Sequence, residues 1–179
     1  MHFPEKITEL DNRFYTAIRS KPFSSKAEKW LKLYVRLGDG WFWAVVTIWV
    51  FATHSRKELF AIVLPVLSSA AVALLLYFSI KLTVRRARPH VLLGIEAEVP
   101  PLDRYSFPSG HVMNNLAVAM ALSRFFPVVG AVAIVVPITW GLLRVYYGVH
   151  YLSDVIAGIV LALISVAIGF SLSFSLGWL

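Results

Sequence analysis

LFAIVLPVLSSAAVALLLYFSI, Leu59 to Ile80, is 22 residues without a charge, and a helix needs about 20 apolar residues to cross the hydrocarbon core of a bilayer. A soluble helix of that length would carry polar residues along its outer face, and this one has only scattered hydroxyls. Phe125 to Leu143 adds 19 such residues and Val155 to Leu179 adds 25. The whole chain agrees with these three runs. Of its 179 residues 58% are hydrophobic and 15% charged, with a mean hydropathy of +0.71, which is too apolar for a soluble domain of this size. The expected fold class is all-α, a polytopic transmembrane helix bundle in one domain covering 1–179.

Two shorter apolar stretches complete the expected bundle. Trp41 to Thr53 has 13 residues and spans only if its helix begins near Leu37 to Asp39. His111 to Phe126 covers roughly 24 Å by helical rise. The spans then read 38–54, 58–82, 111–125, 127–147 and 152–176, five in all, with Pro137 kinking the fourth. Residues 1–37 read as interfacial. Ile7, Leu10, Phe14, Tyr15 and Ile18 recur at helical spacing opposite Glu9, Asn12, Arg13 and Thr16, and Lys21-Pro22 breaks that helix. A second helix, capped by Ser24 or Ser25, runs to Gly38 with Trp30, Leu31, Tyr34 and Leu37 on one face. If it crosses the bilayer the count becomes six. In either count the Arg85 to Phe107 connection and the Tyr146 to Tyr151 turn are separated by two spans and emerge on one side. Ser68, Ser69, Ala70, Ala71 and Ala73, with Gly158 and Ala162 in the last span, are small enough to let helices pack closely in lipid.

The formal net charge is +7. Its sources include anionic head groups, the positive-inside bias or an anionic substrate. The cations border apolar runs instead of forming a solvated stripe, so no nucleic-acid partner is expected. Cysteine is absent, which excludes disulfides and thiolate ligands and leaves covalent catalysis to another nucleophile. Residues 1–37 hold eight Lys or Arg and four acids ahead of any long apolar run, a pattern unlike a cleavable signal peptide.

Polar residues cluster at three places beside the spans. Lys81 and Arg88 are seven apart, two helical turns, ahead of a helix-stopping Pro89, so a continuous helix would present both on one face. Arg85 and Arg86 between them read as head-group contacts or interface anchors. Pro108-Ser109-Gly110-His111 ends a polar loop and opens an apolar helix. Backbone N–H groups there can face an anion at the positive end of the helix, with a hydroxyl beside them and a histidine placed to donate a proton. A plain N-cap accounts for Ser109 and Gly110 equally well, but not for the histidine. His150 and Asp154 are four apart on one helix face, where a carboxylate at one ring nitrogen leaves the other free as nucleophile or base. Such a pair alone also serves merely to cap a helix. Arg144 ends the preceding span, with Gly148 as the helix stop, and suits two oxygens of a phosphate. The Val91 to Phe107 loop, with Glu96, Glu98, Asp103 and Arg104, reads as part of the mouth. Asn114 and Asn115, one turn into the third span, read as interhelical hydrogen-bonding residues before pocket-lining ones.

K-x6-R-P from Lys81, P-S-G-H from Pro108 and R-x5-H-x3-D from Arg144, in this order, resemble the three signature motifs of the type 2 phosphatidic acid phosphatases, membrane lipid phosphatases that share a site with vanadium haloperoxidases. The motifs occupy residues 81–154, and the likeness covers most of the chain beyond residue 38. The resemblance implies that His150 attacks phosphorus to form a phosphohistidine, that Asp154 orients it and that His111 protonates the leaving oxygen. Lys81, Arg88, Ser109, Gly110 and Arg144 would hold the phosphate. It implies no metal and no other cofactor. Leu143 departs from the pattern, where family members often have Ser before the third-motif arginine, and one phosphate or ring contact is then missing.

The expected substrate is a lipid phosphate: an isoprenoid diphosphate, a phosphatidyl phosphate or the 1-phosphate of lipid A. The same intermediate would also serve a lipid-to-lipid phosphotransferase, and the anion site alone a binding or transport protein. The count of cations favours a cytoplasmic site, but Lys81, Arg88 and Arg144 bias it. Resemblance to small bacterial members implies a plasma-membrane protein with an extracytoplasmic site. Nothing in the sequence fixes an oligomeric state.

Overall fold

The computed structural model describes residues 3–178. Among them the regular elements are all helical: α1 Glu5–Arg19, α2 Ser25–Arg36, α3 Trp41–Thr53, α4 Arg56–Val84, α5 Pro89–Leu93, α6 Gly110–Ser123, α7 Pro127–Tyr146 and α8 Leu152–Ser175. Local chemistry sets the ends. Ser55 and Glu58 form a reciprocal capping box at the start of α4, the Ser55 N–H donating to Glu58 at 2.7 Å, which satisfies donors that the first turn would leave bare. Pro127 opens α7 at a position where its missing N–H costs nothing. Arg85, left-handed at φ 51°, ends α4.

Helix α6 lies at the centre, packed on α4, α7 and α8, while α4 also packs along α8. Its Val112, Met113, Leu116, Ala117, Ala119 and Ala121 are buried. The surrounding helices turn Leu67, Leu75, Phe78, Val128 and Val132 outward, the apolar surface that lipid covers. Small residues set the spacing, the expected Ser69 together with two glycines the sequence reading did not single out. A Cβ on Gly169 of α8 would stand 2.5 Å from the Ser69 backbone of α4, and one on Gly141 of α7 would stand 2.4 Å from the Val112 side chain.

Helices α4, α7 and α8 are long and apolar enough to cross a membrane. The continuous helix expected over 38–54 is not formed. Leu37–Asp39 makes a 3-10 turn, Gly40 takes φ 123°, and α2 meets α3 at 56°. The two together give a fourth apolar crossing only if the bent pair counts as one. With 14 residues, α6 is shorter than a span. In the N-terminal region α1 packs on α7 and α8 and buries Asp11, while Leu10 of its apolar face is exposed. On α2, Val35 is buried and Trp30 exposed.

Candidate active site

The three motif regions meet at one end of the bundle. Lys81 sits in the last turn of α4 and Arg88 just ahead of α5, and both are almost fully buried. They do not share a helix face, because α4 stops at Val84 and the chain runs extended into Pro89. A carboxylate brings them together instead. Lys81 Nζ donates to Asp103 Oδ2 at 2.8 Å, and Arg88 Nη2 to Asp103 Oδ1 at 2.8 Å. Tyr77 donates to the same carboxylate, and Lys81 donates to Tyr77 at 2.9 Å. Burial alone would raise the Asp103 carboxyl, but hydrogen bonds from Lys81 and Tyr77 and the Lys81 and Arg88 charges hold it down at about 2.

Ser109 closes the polar loop with its N–H on the Asp154 carbonyl at 3.1 Å, so the start of α6 is fastened to the start of α8. The Ser109 hydroxyl is buried without a hydrogen-bond partner. Gly110 packs against the Tyr77 ring, which a Cβ would approach to 2.7 Å. One residue on, His111 Nε2 stands 2.8 Å from Asp39 Oδ1, and Arg144 Nη2 stands 3.8 Å from the same oxygen. Asn115 secures this geometry by donating to the carbonyls of Gly38 at 3.2 Å and His111 at 2.8 Å, while accepting from the Trp43 indole. That is the interhelical role expected of it, and both Asn115 and Asn114 also line the cavity.

His150 lies in the turn between α7 and α8, where Gly148 takes φ 66° and the His150 N–H reaches the Arg144 carbonyl at 3.2 Å. Its two ring nitrogens face different partners. Nδ1 stands 3.5 Å from Asp154 Oδ2, at the outer limit of a hydrogen bond, and Nε2 stands 3.4 Å from Arg88 Nη1. Burial, with the Arg88 and Arg144 charges, pushes the imidazole down to about 3 against the opposing pull of Asp154, so the ring is neutral at pH 7.

His150, His111, Arg88, Arg144, Gly110, Asp39 and Asp103 line one cavity of about 360 Å³, whose rim includes Leu74, Phe78 and Leu102. Lys81 adjoins it through Tyr77 and Asp103, and Asp154 through His150. Of the loop residues expected at the mouth, Asp103 reaches the cavity. Glu98 is drawn away to Arg19 and Lys32, and Glu96 and Arg104 are exposed. Arg85 is exposed, but Arg86 is neither a head-group contact nor an interface anchor. It is buried between Asp154 and Asp11, 2.7 Å from each, because the break after α4 turns it inward. Asp39, Asp103 and Asp11 carry no catalytic spacing in the sequence; Asp103 was marked only by its loop between two motifs, and Arg86 only by its place inside the first.

Fold and cavity define the class: a helical membrane protein whose buried cations and two histidines surround one pocket. The chain belongs to the PAP2 superfamily, which it matches over residues 62–178, a stretch that includes all three motifs. Among curated proteins it is 37% identical over 83 residues to the decaprenylphosphoryl-5-phosphoribose phosphatase of Mycobacterium tuberculosis, covering 46% of this chain and 45% of that protein. It is 30% identical over 121 residues to undecaprenyl-diphosphatase BcrC of Bacillus subtilis, covering 67% of this chain and 61% of that one. The matches therefore span about half to three fifths of those relatives. The crystal structure of Aquifex aeolicus LpxE superposes with a TM-score of 0.76 at 25% identity, over 90% of this chain and 95% of that one. A PAP2-type phosphatidylglycerolphosphate phosphatase from Bacillus subtilis shares the fold at a TM-score of 0.71 and 20% identity, over 96% and 88%.

Proposed function

We propose that the protein is a membrane lipid phosphatase that works without a metal ion, through a phosphohistidine. One observation carries the reading: His150 turns Nε2 toward Arg88 and the cavity and Nδ1 toward Asp154, the orientation a nucleophilic imidazole needs. Nε2 attacks phosphorus with its lone pair, and the bond from phosphorus to the lipid oxygen breaks. His111, across the cavity, gives that oxygen its proton, then takes one from the water that cleaves the N–P bond, releasing phosphate and restoring neutral His150. Lys81, Arg88 and Arg144, with the Ser109 hydroxyl, which has no other partner, and the Gly110 N–H, hold the phosphoryl oxygens as charge builds on them.

The substrate is a lipid phosphate, with prenyl-linked phosphates favoured by the names of the two curated relatives and by the apolar rim at Leu74, Phe78 and Leu102. We place the whole chain in one bacterial plasma-membrane domain with five crossings, α6 and the bent α2 to α3 pair counting among them, and with the cavity on the extracytoplasmic side. Purified protein in EDTA is expected to release inorganic phosphate from a prenyl diphosphate or phosphatidyl phosphate. His150→Ala is expected to lower kcat at least 1,000-fold, about 4 kcal/mol of barrier. Rapid acid-free quenching of the wild type should trap a base-stable, acid-labile phosphoenzyme. Activity that depends on added divalent cation, or survives in His150→Ala, refutes the reading.

A further inference from the structure

A buried ionic connection joins the N-terminal helix to the acid beside His150. The Arg86 guanidinium is stacked between the rings of Phe3 and Tyr151, 3.9 and 3.8 Å from their centroids, so its fork is held in one plane. Nη1 donates to Asp154 Oδ1 and Nη2 to Asp11 Oδ2, each at 2.7 Å. Asp11 also accepts the Ser153 N–H at 2.9 Å and the Ser153 hydroxyl at 2.6 Å. A carboxylate from α1 thus caps the first turn of α8, where the helix dipole favours negative charge. The Tyr151 N–H, at 2.9 Å from Asp154 Oδ2, completes the set.

Asp11 is 2% and Asp154 0% exposed, and burying carboxylates is costly even when they are paired. An anchor for α1 would need no charge, since apolar side chains in the same place would hold it as well. The connection is placed instead on the one oxygen of Asp154 that does not face His150. Asp154, Arg86 and Asp11 together carry a single negative charge; without Asp11, Arg86 and Asp154 would be a neutral pair.

We infer that Asp11 and Arg86 are positioning residues for the nucleophile, fixing the rotamer of Asp154 so that Oδ2 faces His150 Nδ1 and preserving the negative charge that Asp154 sets against the imidazole. The inference rests on the phosphohistidine reading and deepens it. As Nε2 bonds to phosphorus the ring becomes cationic, and Asp154 is the anion nearest Nδ1. Arg88 and Arg144, the other charges bearing on His150, are both cationic. A carboxylate neutralised by Arg86 alone would leave that ring charge unanswered.

The test uses the full chain in detergent micelles with 15N-labelled histidine, the His150 signals being assigned by their loss in His150→Gln. In the wild type His150 is expected in the Nδ1–H tautomer at pH 7. Asp11→Asn, which weakens the charge, and Arg86→Lys, which keeps the charge but loses the fork, are each expected to admit the Nε2–H tautomer. Each is also expected to lower kcat per folded molecule by roughly tenfold or more, with KM within about twofold. Should Asp11→Asn yield no folded protein, Arg86→Lys decides. A wild-type tautomer in the folded variants, or a wild-type kcat, overturns the inference and leaves Asp11 and Arg86 as an anchor for α1. The spectra are read without substrate. Absence of phosphate release by the wild type would therefore refute the phosphatase reading separately.

Discussion

Asp103 occupies the two cations that a phosphate would use. Its Oδ1 and Oδ2 accept from Arg88 and Lys81 at 2.8 Å each, the contacts expected of phosphoryl oxygens, and Asp39 stands similarly beside His111 and Arg144. The carboxylates keep three buried cations from facing one another unpaired, and an incoming phosphate must compete with them. The Asp103 side chain is 30% exposed, so water screens its pairs, and partly solvated ion pairs contribute up to about 1 kcal/mol. Asp103→Asn keeps the shape and removes the charge. It is expected to tighten competitive inhibition by orthovanadate about fivefold, the factor that about 1 kcal/mol supplies. A weaker inhibition constant in that variant would mean instead that Asp103 arranges Lys81 and Arg88 for the phosphate.

At the scale of the elements, α4 and α8 hold the site because they run close enough for the loops at their ends to interlock. Gly169 makes that approach possible against Ser69, and Ser173 stands 3.3 Å from Ser68 one turn on. Gly169→Leu would drive a side chain into backbone atoms of α4, which overpacking measurements put at about 1–3 kcal/mol. Thermal unfolding in detergent should show that loss, while Leu172→Ala on the lipid-exposed face should change little. The long helices were legible because uninterrupted apolar runs can be little else, and the motif residues because their spacings are fixed by helix ends. The end of the second helix near Gly38 was legible too, but not that Gly40, at φ 123°, would delay the next helix to Trp41. Nor were the carboxylates. Asp103 finds Lys81 22 residues away and Asp11 finds Arg86 75 residues away, and an isolated acid in a loop or amphipathic helix carries no local mark of such a partner. Reading Lys81 and Arg88 as one helix face reached the right convergence through the wrong geometry. The αL residue Arg85 ends α4 between them, and Asp103 joins them from outside.

For the whole molecule, orientation follows from where the cavity lies relative to the helix ends. Lys57 lies in the first turn of α4 and Lys81 in its last, at opposite ends of the longest helix among the described residues, so an α4 that crosses the bilayer puts Lys57 and the cavity on opposite faces. The α4 to α6 connection and the α7 to α8 turn lie together at the cavity. Counting cations by the positive-inside rule misleads here, because Lys81, Arg88 and Arg144 are buried and held by Asp103, Asp39 and backbone carbonyls, where they cannot report on which loop stayed inside. Exposed residues can. The chain contains no cysteine, so a single introduced thiol is an unambiguous reporter. Glu96, in the α5 to α6 loop, and Lys57 are both exposed and lie on opposite sides of α4. With an extracytoplasmic cavity, a membrane-impermeant maleimide added to intact cells is expected to label Glu96→Cys and to spare Lys57→Cys until the membrane is permeabilised. The reverse pattern would place the cavity in the cytoplasm, and labelling of both before permeabilisation would show that α4 does not cross the bilayer.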